Sequence, residues 1–371
     1  MDPTELRDEI PAVQQSTYMN TGASGPSPRR VVDAAEEFLE RAEYEIHARE
    51  DIYEFTFGEY ERVRGRLADF LGADPEEVAL TESTTDGVTR FAAALDWNPG
   101  DVVVRTDLEH PAGVLPWERL ERDGIEIRVV ETEAGRIDPA EFADAVEDAK
   151  LACFSALTWT HGTHLPVREL ADVAREAGAF TLVDAVQVPG QAPVDVDDWG
   201  VDAVAAAGHK WLLGPWGAGF LYVSRDVADE LEPRTVGYRS VRSPGDSPFE
   251  YKEGAPRLEI GTTNLAPHVG LLEAIETMEA IGLGTIRGRI EELTDRFKAG
   301  VPEERLLSPE SYESGLVSVD VPEPETTVER LDERGIKVRS LGSPNVLRVS
   351  LHAFNTPGEV DDLLEALEGE L

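Results

Sequence analysis

Short apolar runs alternate with segments of helical period between residues 78 and 223, and this rhythm constrains the fold more than any other feature of the chain. DVVVRT, IEIRVVE, KLACFSALTW, FTLVDAVQ, VDAVAAAG and GFLYVS read as strands. TTDGVTRFAAAL, PAGVLPWERLERDG, PAEFADAVED and VRELADVAREAG read as helices. Strands separated by helices of this length specify an α/β domain with a mainly parallel sheet. Ligands of such sheets sit at the carboxyl ends of the strands. The residues that follow each apolar run are therefore the ones to inspect for chemistry.

The flanking segments behave differently. YMNTGASGPSPRR is a Gly/Ser/Pro-rich loop, and Val31 to Phe70 is helical by period. In DPEEVALTES, Asp74 caps a short turn and Val78 to Leu80 begin a strand. After Tyr251 the rhythm changes. A long helical stretch leads to strand GLVSVDV, helix TTVERLDERG, strands IKVRSL and VLRVSLH, and helix TPGEVDDLLEAL, a compact α+β arrangement. The expected organisation is an N-terminal segment, 1–20, packing on a small domain; a large domain, 21–260; and a small C-terminal domain, 261–371.

Composition narrows the class of protein. With 74 acidic and 34 basic residues the formal net charge is −40, and the acids are spread along the chain rather than gathered in a tail. Such a coat is a solvation strategy suited to high salt, where charges are screened over about 3 Å at 1 M, so a halophile-like origin is expected. No basic stripe exists to neutralise phosphates, which argues against a nucleic-acid partner. The apolar runs are too short for a membrane span. The N-terminus lacks the apolar core of a signal peptide. Cys153 is the single cysteine, so no internal disulfide framework is possible. A cytoplasmic protein is expected.

Four strand ends carry candidate chemistry. Asp184 closes the apolar run FTLVD, and a buried carboxylate needs a cationic or hydrogen-bonding partner. Lys210, one of only five lysines, follows VDAVAAAGH. An amine among apolar residues has a lowered pKa, because burial disfavours the ammonium form, and a Schiff-base lysine needs this. Thr84 and Thr85 open a helix whose N–H groups and hydroxyls make an anion cradle. His110 follows another strand in DLEHPAG, where an imidazole can stack on a ring and exchange protons near its ordinary pKa of ~6.5. Each residue alone has a plainer reading: a surface lysine, a helix cap, a structural histidine. Together, a carboxylate for a pyridine nitrogen, a lysine for an aldehyde and a cradle for a phosphate are the minimal apparatus for pyridoxal phosphate.

The motifs that carry these residues are similar to those of a known family. Asp184-x-x-Gln187, followed by Gly208-His209-Lys210 and GPWGAGFLYV, resembles the class V aminotransferase family of pyridoxal phosphate enzymes. That family includes cysteine desulfurases, selenocysteine lyases, cysteine C–S lyases and isopenicillin N epimerase. STTDG, LEHPA, EIGTTN and LRVSLHAFNTPGEVDDLLEAL extend the resemblance over nearly the whole chain. It implies the fold type I of pyridoxal phosphate-dependent transferases, with a large parallel-sheet domain and a small C-terminal α+β domain. It also implies that Lys210 bonds the cofactor aldehyde and moves the α-proton, that Asp184 holds the pyridine nitrogen, and that Gln187 contacts the ring oxygen. His110 would stack on the ring. Thr84, Thr85, His209 and, across a homodimer, Thr262 would hold the phosphate. Arg348 would clamp the carboxylate of a small amino-acid substrate. Asn20, within the stretch Tyr18 to Pro26, and Trp159 would line the substrate side.

The sequence departs from the family pattern in places. The loop VRSLGSPNVLR, where desulfurases carry a catalytic cysteine before the carboxylate-binding arginine, has none, and Cys153 sits in an apolar strand. Val186 stands where a smaller alanine is usual, Ala206 and Ala207 provide no hydroxyl for the phosphate, and TWTHG brings Trp159 and Thr160 to a loop that usually bears asparagine. The expectation is a transaminase or C–S lyase type of enzyme, with a desulfurase or epimerase as alternatives and a non-catalytic scaffold last. His161 and His164 lack a third metal ligand nearby, so no metal is expected. GPWGAG lacks the GxGxxG context of a dinucleotide site.

Overall fold

A computed structural model describes residues 1–342 and 345–371. Residues 343 and 344, in the middle of the cysteine-free loop, lie outside the described residues. The apolar runs form a seven-stranded sheet in the order Val78–Thr81, Gly219–Val223, Ala203–Ala207, Phe180–Asp184, Leu151–Ser155, Val102–Thr106 and Glu126–Val130. Gly219–Val223 runs antiparallel to both neighbours, and the remaining pairs are parallel. The central strands Leu151–Ser155 and Ala203–Ala207 are buried at every position. Val78–Thr81 is too, which is why these runs read as continuously apolar rather than alternating. Helices cover both faces. Leu182, Val103 and Leu221 join one apolar cluster, and Val183, Val104 and Phe220 join the other. Each such side chain contributes about 1.5–3 kcal/mol by leaving water.

A second, three-stranded antiparallel sheet holds Asn345–Ser350 between Leu316–Val319 and Arg339–Gly342. The helices Leu283–Ala299, Pro324–Glu333 and Pro357–Ala366 pack around it. The N-terminal segment joins this unit. Thr17–Tyr18 pairs in parallel with Ile336–Lys337, and Arg7 reaches Glu359 at 2.8 Å. Helix Ala266–Ile281 buries ten residues spread around its circumference, as expected for a helix enclosed on all sides. It packs against Arg29–Glu40 and Ile52–Leu71, and its Leu271, Leu272 and Ile275 belong to the core of the large sheet. The division at residues 20 and 260 is our proposal for the domain limits, and this helix begins just after the second of them.

Two sequence expectations are refined. The helical stretch from Val31 to Phe70 is broken: Arg29–Glu40 passes through a wider turn, Arg41–Glu45, into Ile46–Arg49, and a new helix starts at Ile52. Asp51 causes the restart, because its side chain accepts from the N–H groups of Tyr53 and Glu54. The single strand expected over IKVRSL is two, because the chain turns at buried Val338 to serve different partner strands on either side. No helix among the described residues is long and apolar enough to cross a membrane.

Candidate active site

Phe180–Asp184 and Ala203–Ala207 are parallel neighbours, with Asp184 opposite Ala205. The turn after Ala207 therefore brings Lys210 over the end of the strand that carries Asp184. A cavity of about 170 Å³ opens there, lined by Asp184, Gln187, Lys210, His110, Arg348 and Arg339, with Ser83–Thr85 and Gly22–Ala23 at its ends. His209, Val186, Trp159 and Ala112 complete the wall.

Burial pushes the Lys210 ammonium down to about 8. The Asp184 carboxylate opposes that shift, and Arg348 and Arg339 reinforce it. The turn is tightly built. Leu213 sits in the left-handed region at φ 59°, a conformation costing a non-glycine residue about 1 kcal/mol and found where a site demands it. From the other side Gly25 donates its N–H to the His209 carbonyl at 2.8 Å. A Cβ on Gly25 would lie 2.1 Å from the Lys210 carbonyl oxygen, so only glycine lets the N-terminal loop come this close.

Asp184 is 4 % exposed. Burial raises its pKa, while the Val186 N–H at 3.0 Å and Lys210 pull it back. The helix Thr84–Ala94 points its first turn into the cavity. Ser83 caps it by accepting from Asp86 N, the first-turn N–H groups of Thr84 and Thr85 have no helical carbonyl to bond, and the buried Thr84 hydroxyl has no partner among the described residues. His110 accepts the Ala112 N–H on Nδ1 at 3.2 Å, so its hydrogen is on Nε2. Burial, then Lys210, Arg339 and Arg348, lower its pKa to about 4, so at neutral pH the ring is an uncharged N–H donor and not the titrating group its ordinary pKa suggested. Trp159 meets it edge-on at 5.4 Å.

Arg348 is 1 % exposed in the middle of its sheet. Its Nη1 donates to the Trp159 carbonyl at 2.9 Å, while Nε and Nη2 have no partner among the described residues. Those two nitrogens form one edge of the guanidinium fork, the edge that takes a carboxylate with two parallel hydrogen bonds. Trp159 thus aims the fork with its backbone as well as lining the cavity with its ring.

Nine of the residues read from the sequence meet in this cavity: Lys210, Asp184, Gln187, Thr84, Thr85, His110, His209, Trp159 and Arg348. Two stand elsewhere. Asn20 is bridged to Ser350, and its buried Oδ1 has no partner among the described residues. Thr262 is exposed, bonds Tyr238 and lines a different hollow with Phe38, Ile46 and Phe55. Thr160 turns away from the cavity to bond His161 at 2.9 Å. The sequence reading missed Arg339, Glu109 and Trp211. Arg339 lines the cavity beside its cross-strand neighbour Arg348 and has no ion-pair partner among the described residues. Trp211 gave a readable signal, an aromatic directly after the lysine, whereas Arg339 gave none.

The residues fit pyridoxal phosphate. The orphaned Thr84 hydroxyl and free helix N–H groups suit its phosphate, buried Asp184 its pyridine nitrogen, and the lowered Lys210 amine its aldehyde. A mainly parallel sheet joined to a small C-terminal α+β unit, with this cavity at the strand ends, is fold type I of the pyridoxal phosphate-dependent enzymes. The family model described as aminotransferase class-V matches residues 17–363, and the chain belongs to that family. It is 31 % identical to a probable cysteine desulfurase of Methanothermobacter thermautotrophicus over 99 % of this chain and 98 % of that one. It is 33 % identical to an isopenicillin N epimerase of Streptomyces clavuligerus over 95 % of each. Among solved structures, the apo cysteine desulfurase of Thermococcus onnurineus superposes with a TM-score of 0.91 at 29 % identity, covering 99 % of this chain and 98 % of that one. The cystine C–S lyase C-DES, in complex with its product cysteine persulfide, superposes with a TM-score of 0.90 at 27 % identity over 97 % and 99 %. The protein is a pyridoxal phosphate-dependent enzyme of class V.

Proposed function

We propose that the protein breaks the carbon–sulfur bond of cysteine or a close derivative, a desulfurase type of reaction. The observation that carries this reading is the full-length likeness to cysteine desulfurases. It favours desulfuration over the transaminase or C–S lyase reaction expected from the motifs alone. Arg348 binds the substrate carboxylate with its free Nε and Nη2 edge and so orients Cα toward Lys210. The Lys210 amine, neutral in part near pH 8, takes the α-proton and returns it. Asp184 keeps the ring nitrogen protonated. Pyridoxal phosphate, when bound, supplies the electron sink for these bond cleavages. His110 and Trp159 close the cavity on the ring side.

The sulfur needs an acceptor, and Cys153 does not serve. It is 1 % exposed within its strand, and burial pushes its thiol well above the ordinary value. With cysteine as substrate the acceptor is therefore a thiol from outside the chain: its sulfur bonds the substrate Sγ, the Cβ–S bond breaks, and alanine and a persulfide result. A second reading, lysis of a disulfide such as cystine, is favoured by Arg339 beside Arg348. A substrate with two carboxylates would engage both, and its persulfide leaves with the bonding electrons of the Cβ–S bond, needing no protein thiol.

We infer a homodimer, because exposed Phe57, Tyr238 and Ile260 surround the surface that carries Thr262. From there Thr262 would reach the phosphate of the second copy. Product analysis of the holoenzyme tests the reaction. Cysteine with added thiol should give alanine and thiol persulfide, and cystine should give pyruvate, ammonia and cysteine persulfide on the second reading. Amino transfer to a keto acid with no sulfur release would refute both.

A further inference from the structure

Gln187 is 2 % exposed, and its side-chain amide is engaged at both ends. Its Oε1 accepts the indole N–H of Trp211 at 2.7 Å, and its Nε2 donates to the Gly22 carbonyl at 2.9 Å. An indole nitrogen can only donate and a carbonyl can only accept. The two neighbours therefore decide which way round the amide stands. The carbonyl faces Trp211, and the amino group faces Gly22 and the cavity that Gln187 lines. The amino group has two hydrogens. One goes to Gly22, and the second has no acceptor among the described residues.

Trp211 is itself held. It is 0 % exposed, it stacks on His352 at 5.9 Å and 22°, and His352 stacks on Phe354 at 5.0 Å and 18°. The Trp211 carbonyl accepts from His352 Nε2 at 3.0 Å, which places the His352 hydrogen on Nε2. Burial lowers the His352 pKa to about 4, so this contact persists unchanged through neutral pH. The three rings join the small sheet to the residue directly after Lys210.

We propose that Trp211 is a positioning residue that locks the Gln187 amide with its amino group toward the cavity, so that Gln187 donates a hydrogen bond to the anionic ring oxygen of the bound cofactor. The role of Trp211 rests on the assignment of Gln187 to that oxygen. Without the indole N–H, the Gly22 carbonyl alone opposes a half-turn of the amide. A half-turn of the amide would then set its oxygen against a negative oxygen and replace attraction with repulsion.

The test is a double-mutant cycle on the holoenzyme with W211F, Q187A and the double variant. It is read as the pH midpoint of the visible absorption band and as the affinity of each apo protein for pyridoxal phosphate. The other ionisable cavity residues, Asp184, Lys210, His110, His209, Arg339 and Arg348, are the same in all forms. A donor to the ring oxygen stabilises its unprotonated form, so losing the donor lets the protonated form persist to higher pH. Q187A and W211F should each raise the midpoint by about one unit, and W211F should change nothing further in the Q187A background. W211H, whose ring nitrogen falls where the indole nitrogen stood, should return the midpoint toward the parent value; W211L, which also lacks the donor, stands in for W211F if circular dichroism shows that variant unfolded. A raised midpoint in Q187A with an unchanged one in W211F would overturn the proposal and leave Gln187 in place. Additive shifts would overturn it as well. An unchanged midpoint in Q187A would remove the assignment of Gln187 and the role of Trp211 with it.

Discussion

Glu109 and Ser155 are joined by two hydrogen bonds, from the Ser155 hydroxyl to Oε2 at 2.6 Å and from its backbone N–H to Oε1 at 3.1 Å. Ser155 is the strand partner of Asp184, so a second buried carboxylate stands behind the one that faces the cavity. Burial pushes the Glu109 carboxyl up to about 7, the Ser155 and Thr106 hydrogen bonds restrain it, and Asp184 adds to the rise. A carboxyl whose folded pKa exceeds its unfolded value of 4.5 gives stability that is complete below pH 4.5 and lost as the pH climbs to about 7. Glu109→Gln keeps a similar shape without the charge. Urea midpoints of the apo protein should fall less steeply between pH 4.5 and 7 in this variant. At pH 8 it should be the more stable protein, by on the order of 1–3 kcal/mol. An unchanged slope would show that Glu109 does not titrate there.

Lys210 must be neutral to combine with the cofactor aldehyde. Its amine, lowered to about 8 chiefly by burial, sets the pH dependence of loading. The rate at which apo protein takes up pyridoxal phosphate should rise with pH to a midpoint near 8 rather than 10.5. Asp184→Asn removes the one charge that favours the ammonium form and should move the midpoint down. Lys210→Ala should keep its far-UV circular dichroism while losing turnover. Retained turnover would remove Lys210 from the mechanism.

The unpaired edge of Arg348 makes a specific demand on substitution. Arg348→Lys keeps a charge but loses the fork, and Arg348→Ala loses both. The first should raise KM for the amino-acid substrate about 10-fold and the second about 100-fold or more, seen in steady-state kinetics. Equal KM values in all three forms would place the carboxylate elsewhere.

Glu259 sits between two buried arginines, Arg64 at 2.7 Å and Arg239 at 2.7 Å, and also accepts Leu80 N–H at 3.1 Å. Burial alone would raise its pKa, but Arg64 and Arg239 outweigh it and hold the carboxyl below the ordinary value. Its contribution to stability is therefore complete above pH 4.5 and lost as the pH falls through the depressed value. Glu259→Ala leaves buried Arg239 without its anion and buried Arg64 with only the exposed Glu61, and should cost about 3–5 kcal/mol in chemical denaturation. It should also flatten the acid limb of the stability profile. A loss below about 1 kcal/mol would mean that water reaches the arginines.

Strand ends were legible because the physics that buries a strand also delivers its last residue to the cavity. Asp184, Lys210 and Thr85 could be read that way, each a polar residue at the end of an apolar run. Glu109 could not, since its partner Ser155 is 46 residues away and a glutamate before a histidine in a turn looks solvated. Arg339 was equally hidden, because its place depends on a bend at Val338 that apolar periodicity does not register. The restart at Asp51 was readable as an acidic cap and was masked by the matching helical period on both sides. The cysteine-free loop was weighed against desulfuration, yet the likeness to desulfurases spans the chain. Such a loop bears on where sulfur goes after the bond breaks, and less on which bond breaks.

The glycine contact between the N-terminal loop and the Lys210 turn has a consequence for the order in which the molecule is made. Gly25 rests on the His209 and Lys210 backbone, Asn20 is bridged to Ser350, and Thr17 pairs with Ile336. A chain leaving the ribosome can complete the seven-stranded sheet once Val223 has emerged, but Thr17 and Asn20 have no strand to join until Ile336 and Ser350 have followed. The cavity is therefore assembled late, from segments far apart in the chain, and a nascent or truncated protein that stops short of Arg339 and Arg348 carries the lysine without the wall that lowers its pKa.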